Sequence, residues 1–400
     1  MIRKRIIIFL TLIIGIGIAA YFLTKLASGY RLDFTSKSLR PTGLLVANSF
    51  PNQATIVVNG KAVKSKTATT LNLTPGEYQV EIKKDGFSSW QKKLLIEKEL
   101  VVKTDAYLFP TYPELKPLTF TGAANPVISP NGKKVAFAVD SEDEKAGLWV
   151  LDLSERPLGL AREARQIIQS APKGRNFAQG EYQWSPDSKQ ILITLAKGTT
   201  KIEPIEENFL LDASVLNDNT KLVDITEQKE ALLKRWQNEE KILQQDKISR
   251  LPEELVNILD KTTKDLVFPP DETKILYTAT ASASIPQELI PPLPGTSTQP
   301  EERDLQPGKT YVYDLKEDRN FAIDLPDETK ISWFPTSKHL FLVQKDKISI
   351  REYDNTNQVN LYSGPFENSF AFTFPSGNRL LILTSLSKDT PQNLYAITLR

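Results

Sequence analysis

The residue types that most often support catalysis or metal binding are scarce in this sequence. Cysteine is absent from all 400 residues, which excludes disulfides, thiolate nucleophiles and cysteine-based zinc sites. The single histidine, His339, lies in the run SKHLFLV, whose apolar composition indicates a strand. Catalytic triads and multi-histidine metal sites need partners that one histidine does not supply, so we predict a packed or exposed side chain here.

The short motifs of common enzyme classes are also missing. The sequence has no G-x-S-x-G elbow, no phosphate-binding P-loop, no H-E-x-x-H and no EF-hand loop. Aspartate and glutamate together number 49, so a pair of carboxylates like that of glycosidases remains an alternative. We therefore predict a protein that is not an enzyme, with no catalytic, metal-binding or cofactor-binding residues. The alternative is an enzyme, a carboxylate-based hydrolase or lyase.

Candidate binding residues come from an amphipathic segment, residues 226–263. Four apolar side chains fall near one helical face flanked by charge, and Pro252 marks the start of a second helix. The segment predicts a helical hairpin, whose apolar face either packs on the rest of the chain or docks a partner. Tryptophan is enriched among binding hot spots, which makes Trp236 the candidate anchor. The candidate partner contacts are Trp236, Leu232, Leu233 and Leu243.

The overall charge gives no indication of a nucleic-acid partner. Fifty basic residues face 49 acidic ones, for a formal net charge of +1. Proteins that bind nucleic acid usually neutralise several phosphates with a basic surface, and this balance supplies no such field. We therefore predict partners other than nucleic acid.

An apolar stretch near the start predicts a membrane anchor. Residues 6–24 carry no charge and follow three cations within the first five residues. As a helix they would span about 28 Å, close to the hydrocarbon thickness of a bilayer. We predict a cytoplasmic tail and a single uncleaved transmembrane helix within residues 1–24, with the body outside the cytoplasm. The alternative is a cleaved signal peptide, whose apolar core is usually shorter.

A stalk and a small β module follow the anchor. Residues 25–42 have mixed charge and little periodicity, which is typical of a stalk. Over residues 43–110, short runs with alternating apolar residues are separated by turn residues such as Asn59-Gly60 and Asp85-Gly86. This spacing predicts a small antiparallel β-sandwich.

The same region resembles a PEGA domain over the run PNQATIVVNG and the later TPGEYQVEIKKDGFSSW. The matching positions are Pro51, Asn59-Gly60, Pro75-Gly76, Tyr78, Val80, Gly86, Phe87 and Trp90. SKTATT replaces the G-x-T-P step usual in the family. The resemblance implies an extracytoplasmic β module without known catalysis. Phe87 and Trp90 are expected to fill its core.

A strand–turn–strand pattern built around proline recurs five times in the remainder of the chain. The five prolines are Pro130, Pro186, Pro270, Pro335 and Pro375. Each unit continues into a third strand, and most into a short fourth strand such as ARQIIQ or TKLVDIT. Repeated four-stranded units predict an all-β fold, a β-propeller of about five blades over residues 115–400, with six possible. The last unit lacks an outer strand, which we expect residues 115–120 to supply.

These repeats resemble the blades of TolB-like propellers. The turn matches at Ser129-Pro130-Asn131-Gly132, Ser185-Pro186-Asp187-Ser188 and Pro270-Asp271, and the third strand at Trp149-Val150-Leu151-Asp152 and Tyr313-Asp314. Six blades are common in that family. The resemblance implies a binding scaffold.

A proline-rich stretch, residues 281–308, predicts an extended loop inserted in the third unit. Taken together, the sequence predicts a membrane-anchored, extracytoplasmic binding or interaction protein of a bacterial cell envelope. Its propeller would bind a protein or a cell-wall glycan. Besides the enzyme alternative, a sensor that holds a small molecule in the propeller channel remains open.

Overall fold

A computed structural model shows the chain as two compact units. The first comprises Met1–Phe109, Ile290–Glu301 and Leu315–Arg319; the second comprises Pro110–Leu289, Glu302–Asp314 and Asn320–Arg400. The structure describes residues 2–27, 30–33, 38–141, 144–155, 163–170, 174–197, 205–291, 297–367, 370–387 and 390–399.

The first unit begins with helix α1, Ile2–Ala27. Within it, Ile6–Ala27 is long and apolar enough to cross a membrane by length and composition, and none of that apolar segment is buried. This helix contains the predicted span. Two short strands then pair antiparallel, β1 at Arg31–Asp33 and β2 at Ser38–Arg40. Part of the predicted stalk is therefore a two-stranded sheet, which its lack of periodicity did not indicate.

Seven strands form two facing sheets in the rest of this unit. They are β3 (Gly43–Phe50), β4 (Thr55–Val58), β5 (Lys61–Lys66), β6 (Thr69–Leu73), β7 (Gly76–Lys83), β8 (Trp90–Ile96) and β9 (Val101–Tyr107). One sheet has the order β6-β3-β9 and the other β5-β4-β7-β8. Strands β3 and β9 pair in parallel, so the prediction of a purely antiparallel sandwich was wrong. Parallel pairing is possible because the chain passes through the other sheet between these two strands.

The inner faces of the two sheets form one apolar core. It is built from alternate positions of the strands, such as Leu45, Ile56, Val80 and Ile82, and Trp90 lies among them. Phe87 packs against the same cluster. Both aromatic side chains thus occupy the core, as predicted. Ile290–Glu301, from the proline-rich loop, belongs to this unit as well. In it the Thr298 hydroxyl donates to the Lys93 carbonyl on β8 at 2.6 Å.

The second unit contains five sheets of three or four strands. The first half has β10 (Glu114–Pro117), β11 (Ala124–Ile128), β12 (Lys134–Val139), β13 (Gly147–Asp152), β14 (Arg165–Gln169), β15 (Glu181–Trp184), β16 (Gln190–Lys197) and β17 (Ile205–Asp212). Strands β11 to β14 form the first sheet and β15 to β17 the second. A fourth strand had been predicted over residues 220–226. The structure instead has 3-10 turns at Asn219–Lys221 and Thr226–Gln228, so this prediction was wrong.

Two helices follow, α2 at Lys229–Ile248 and α3 at Glu253–Thr262. They form the predicted hairpin. The third sheet contains β18 (Thr263–Val267), β19 (Lys274–Ala279), β22 (Thr310–Asp314) and β23 (Arg319–Ile323). Between β19 and β22, strands β20 (Ala283–Ser284) and β21 (Asp304–Leu305) pair antiparallel near the two ends of the proline-rich loop.

The remaining strands form the fourth and fifth sheets. They are β24 (Lys330–Trp333), β25 (His339–Val343), β26 (Lys347–Glu352), β27 (Val359–Ser363), β28 (Ala371–Thr373), β29 (Arg379–Thr384) and β30 (Asn393–Thr398). The fifth sheet has the order β10-β30-β29-β28. Leu115 of β10 lies opposite Ile397 of β30. The strand predicted to complete the last unit therefore does so, and it covers the edge that β30 would otherwise expose.

All five proline turns share one backbone geometry. The residue two positions after each proline has a positive φ, and its amide donates to the carbonyl of the residue before the proline. These five residues, with φ values of 55 to 68°, are Gly132, Ser188, Glu272, Ser337 and Gly377. Two of them are glycine, which adopts this conformation without steric cost, and the other three must accommodate a Cβ.

The turns also connect neighbouring sheets. The Asn131 amide of the first sheet donates to Ser188 Oγ of the second at 3.2 Å. The Trp184 indole of the second sheet donates to the Val127 carbonyl of the first at 3.0 Å. The fourth sheet repeats both bonds to the third through Ser337 and Trp333, at 3.2 and 2.8 Å.

The fifth and first sheets are joined by a carboxylate. Glu155, three residues beyond β13, accepts hydrogen bonds from Ser376 and Asn378 of the last proline turn, both at 2.9 Å. Arg379 lies 3.9 Å away. The Asn378 hydrogen bond is the largest influence lowering the pKa of the Glu155 carboxyl, against partial desolvation that raises it.

We predict that Glu155→Gln lowers the melting temperature of the second unit at pH 7. A carboxyl whose pKa is depressed on folding contributes stability above its unfolded pKa, about 4.3, and loses it as pH falls through the folded pKa. The difference from the wild type should therefore shrink as the pH falls below the unfolded pKa and vanish below the lower, folded pKa. Glu181→Gln, at an exposed position, is the control and should change little at either pH. A deficit that is equal at pH 7 and pH 3 would contradict this role.

Candidate functional site

The structure places two of the four predicted partner contacts in the interior. Trp236 is 4% exposed and Leu232 is 9% exposed, and both pack against Leu192 of β16. Leu210 and Ile225 complete this cluster. The second sheet covers Trp236 and Leu232 in the structure, and their contact with a partner stays a prediction. Of the two alternatives for the hairpin, the structure has the one in which its apolar face packs on the chain.

The other two predicted contacts differ in exposure. Leu233 is partly buried at the edge of the same cluster. Leu243, on the second half of α2, is 60% exposed, and the neighbouring Ile242 is 56% exposed. Leu243 therefore remains a predicted contact, on a surface that Trp236 does not share.

Helix α2 also contacts the third sheet. Lys247 lies 3.0 Å from the Glu272 carboxylate and 5.8 Å from the centre of the Phe268 ring. Phe268 and Glu272 occupy the same positions, relative to their proline, as the residues that join the second sheet to the first and the fourth sheet to the third. Here both positions contact the hairpin, so the hairpin stands where a preceding sheet stands at those two junctions.

One cavity of about 350 Å³ lies where a propeller has its channel. It is lined by the first strands of the first, fourth and fifth sheets, β11, β24 and β28, together with Val343 and Leu383. The lining includes Lys330, but no aspartate or glutamate among the described residues lines it. A carboxylate pair for glycoside hydrolysis is therefore not assembled in this cavity by the part of the chain that the structure describes.

The single histidine is a packed side chain. His339 is 2% exposed on β25, and its Nδ1 atom lies 2.7 Å from Thr336 Oγ1. The Phe334 ring meets it edge-on at 6.3 Å between centroids. Within the described ranges, no group of three or more histidine, aspartate or glutamate side chains could hold a metal ion.

A larger cavity, about 630 Å³, lies between the third and fourth sheets. Its walls come from β22 and β23 on one side and from β25 and β26 on the other. Arg351 of β26 is the charged side chain buried in it, at 7% exposure. Its Nη2 atom donates to the Asp324 carbonyl at 2.8 Å.

This guanidinium is only partly satisfied. Its Nε atom is buried and has no hydrogen-bond partner among the described residues, and the same is true of Thr329 Oγ1 in the same cavity. Burial lowers the pKa of Arg351, while the charge of Asp324 acts in the opposite direction. Arg351 was not among the residues predicted from the sequence. The signal in the sequence was a charge at an alternate position of the apolar run KISIREY. In the structure Arg351 lies opposite Leu340 of β25, on the face that also carries Leu342.

Comparison with known families identifies the module in the first unit. Residues 42–111 match the PEGA domain. The match covers the seven strands of the two-sheet module. No curated protein sequence matches the chain.

Solved structures similar to the chain include TolB proteins. A protein assigned as TolB from Agrobacterium tumefaciens has a TM-score of 0.23 and 11% identity, over 72% of this chain and 79% of that one. TolB from Acinetobacter baumannii has a TM-score of 0.19 and 15% identity, over 86% of this chain and 63% of that one. Kuenenia stuttgartiensis hydrazine synthase has a TM-score of 0.20 and 12% identity, over 90% of this chain and 96% of that one. Because these TM-scores are low, the propeller architecture is inferred from the five sheets and from the pairing of β10 with β30.

We predict that Trp236→Ala lowers the free energy of unfolding of the second unit by about 3–5 kcal/mol, the usual loss for a buried aromatic side chain. Denaturant unfolding of the full chain in detergent measures it. Leu243→Ala, on the same helix but exposed, is the matched control and should stay within about 0.5 kcal/mol of the wild type. An unchanged stability for Trp236→Ala, with loss of partner capture, would contradict the packing role and restore the anchor role.

Proposed function

We propose that this protein is a membrane-anchored, extracytoplasmic binding protein of a bacterial cell envelope. The observation that carries the proposal is helix α1, whose apolar side chains from Ile6 to Leu23 are exposed, followed by the β-strands of the two units. Exposing such a surface to water is unfavourable, and a bilayer removes that cost. The charge at the first five residues supports a cytoplasmic tail.

The PEGA match supports an extracytoplasmic position for the body. We propose residues 43–110 and residues 115–400 as separately folding domains. This division is close to the boundary between Phe109 and Pro110, although Ile290–Glu301 and Leu315–Arg319 belong to the first unit. The first would serve as spacer or surface-binding module. The second would supply the recognition surface for a protein or a cell-wall glycan.

A binding function fits the cavities better than hydrolysis does. The channel cavity brings together Lys330, Ser332 and apolar side chains, without a carboxylate among its described lining residues. The larger cavity holds a buried arginine with donor capacity to spare. Such a group recognises an anion without itself providing a nucleophile or a general acid at neutral pH.

We predict that the body is accessible from outside the cytoplasmic membrane. Protease added to spheroplasts should degrade it, while a cytoplasmic enzyme in the same preparation stays intact. The protein should also remain in the membrane pellet after alkaline washing, because a spanning helix is retained by the bilayer. Protection of the body would reverse the orientation. A soluble form whose N-terminus lies beyond residue 24 would show that α1 is a cleaved signal.

A further inference from the structure

The cavity between the third and fourth sheets contains a buried charge, the guanidinium of Arg351, beside apolar side chains. Strands β25 and β26 present Leu340, Leu342, Ser349 and Arg351 on one face, because paired residues of neighbouring strands point to the same side. Leu340 and Leu342 pack against Leu276 and other apolar side chains of the third sheet. Arg351 therefore places a guanidinium at the edge of an apolar junction.

This position is costly for the folded protein. Removing a guanidinium from water is compensated only when its donors are paired, and Arg351 leaves Nε unpaired while Nη2 has a carbonyl partner. Thr329 adds a second buried polar atom in the same cavity for which the described part of the chain supplies no partner. An apolar side chain of similar length would fill this place at lower cost. Two unsatisfied groups lining one cavity are the arrangement expected of a binding site that awaits a ligand.

The charged side chains around the cavity indicate the charge of the ligand that it can bind. Lys309 and Arg351 are balanced by Asp324 and Glu328. Lys309 also lies 3.4 Å from Glu302. A doubly charged phosphate would be repelled by the carboxylates of both Asp324 and Glu328. A ligand with one carboxylate carries a single charge, and the planar donors of one guanidinium match its two oxygens. Apolar walls from Ile323, Leu325 and Leu342 suit a short aliphatic group attached to it.

We propose that this cavity, which we call the Arg351 cavity, binds a singly charged carboxylate carried by a small aliphatic group. Arg351 would bind the carboxylate oxygens and Thr329 would donate its hydroxyl. Two sources share this chemistry, a free amino-acid-like molecule and the C-terminal residue of a peptide. The inference rests on the proposed binding function and names the ligand class for one of its sites.

Four probes test the ligand class on the full chain in detergent by isothermal titration calorimetry. They are N-acetylalanine, N-acetyl-dialanine, the C-terminal amide of N-acetyl-dialanine and inorganic phosphate. We expect saturable binding of at least one carboxylate, with the amide and phosphate at least tenfold weaker. Tighter binding of N-acetylalanine would indicate a free small molecule, and tighter binding of N-acetyl-dialanine would indicate a peptide terminus.

Substitutions then test the residues. Arg351→Met should abolish carboxylate binding while the melting temperature stays the same or rises, an outcome that a purely structural arginine would not give. Arg235→Met, at an exposed position of α2, is the matched control and should bind as the wild type does. Thr329→Val replaces one hydroxyl at a partly buried position, so the protein should fold and bind the carboxylate severalfold more weakly. This variant tests the site if Arg351→Met fails to fold.

No saturable binding of either carboxylate to the wild type, or equal binding of the acid and its amide, would overturn the proposal. Carboxylate binding retained by Arg351→Met or unaffected by Thr329→Val would do the same. These outcomes are separate from failure of the proposed function. A protein whose body lies outside the membrane but whose Arg351 cavity ignores carboxylates would refute only the ligand class.

Discussion

Pairing of β10 with β30 is the interaction on which the second unit depends. It places the first and last strands of that unit in one sheet, so the fifth sheet has four strands and the two ends of the unit are paired with each other. Around this closure, each sheet covers the apolar face of a neighbour. Val135 and Phe137 of the first sheet pack against Leu381 of the fifth, for example. A sheet left without a neighbour would expose such a face to water, which makes closure a condition for every other junction.

The helical hairpin completes the same circuit. The second sheet is covered by Leu232 and Trp236 of α2, and the third sheet meets Lys247 of that helix through Glu272. The fourth sheet follows through the Trp333 and Ser337 bonds, and the fifth packs Gly377 closely against the Phe334 ring of the fourth. The order is therefore first sheet, second sheet, hairpin, third, fourth and fifth sheets, and back to the first. This explains why a helical insert can sit inside an all-β unit without leaving a sheet uncovered.

Much of this architecture could be predicted from the sequence, because turns and anchors depend on local chemistry. The five prolines mark turns of one geometry, and the uncharged run near the start marks α1. Periodicity of two is the same for parallel and antiparallel strands, so it did not reveal the β3–β9 pairing. The amphipathic face of α2 was compatible both with packing on the chain and with docking a partner, and only the fold shows that Trp236 packs against Leu192. Arg351 was not predicted, because its significance comes from Thr329, which is 22 positions away in the sequence.

The ring closure can be tested directly because the chain has no cysteine of its own. Leu115→Cys combined with Ile397→Cys places two thiols at directly paired positions of β10 and β30. Side chains paired in this way are close enough for a disulfide. Mild oxidation should cross-link this pair within one molecule, whereas Leu115→Cys with Tyr395→Cys, offset by two positions, should cross-link much less. Failure of the first pair, or equal cross-linking of both, would contradict the closure.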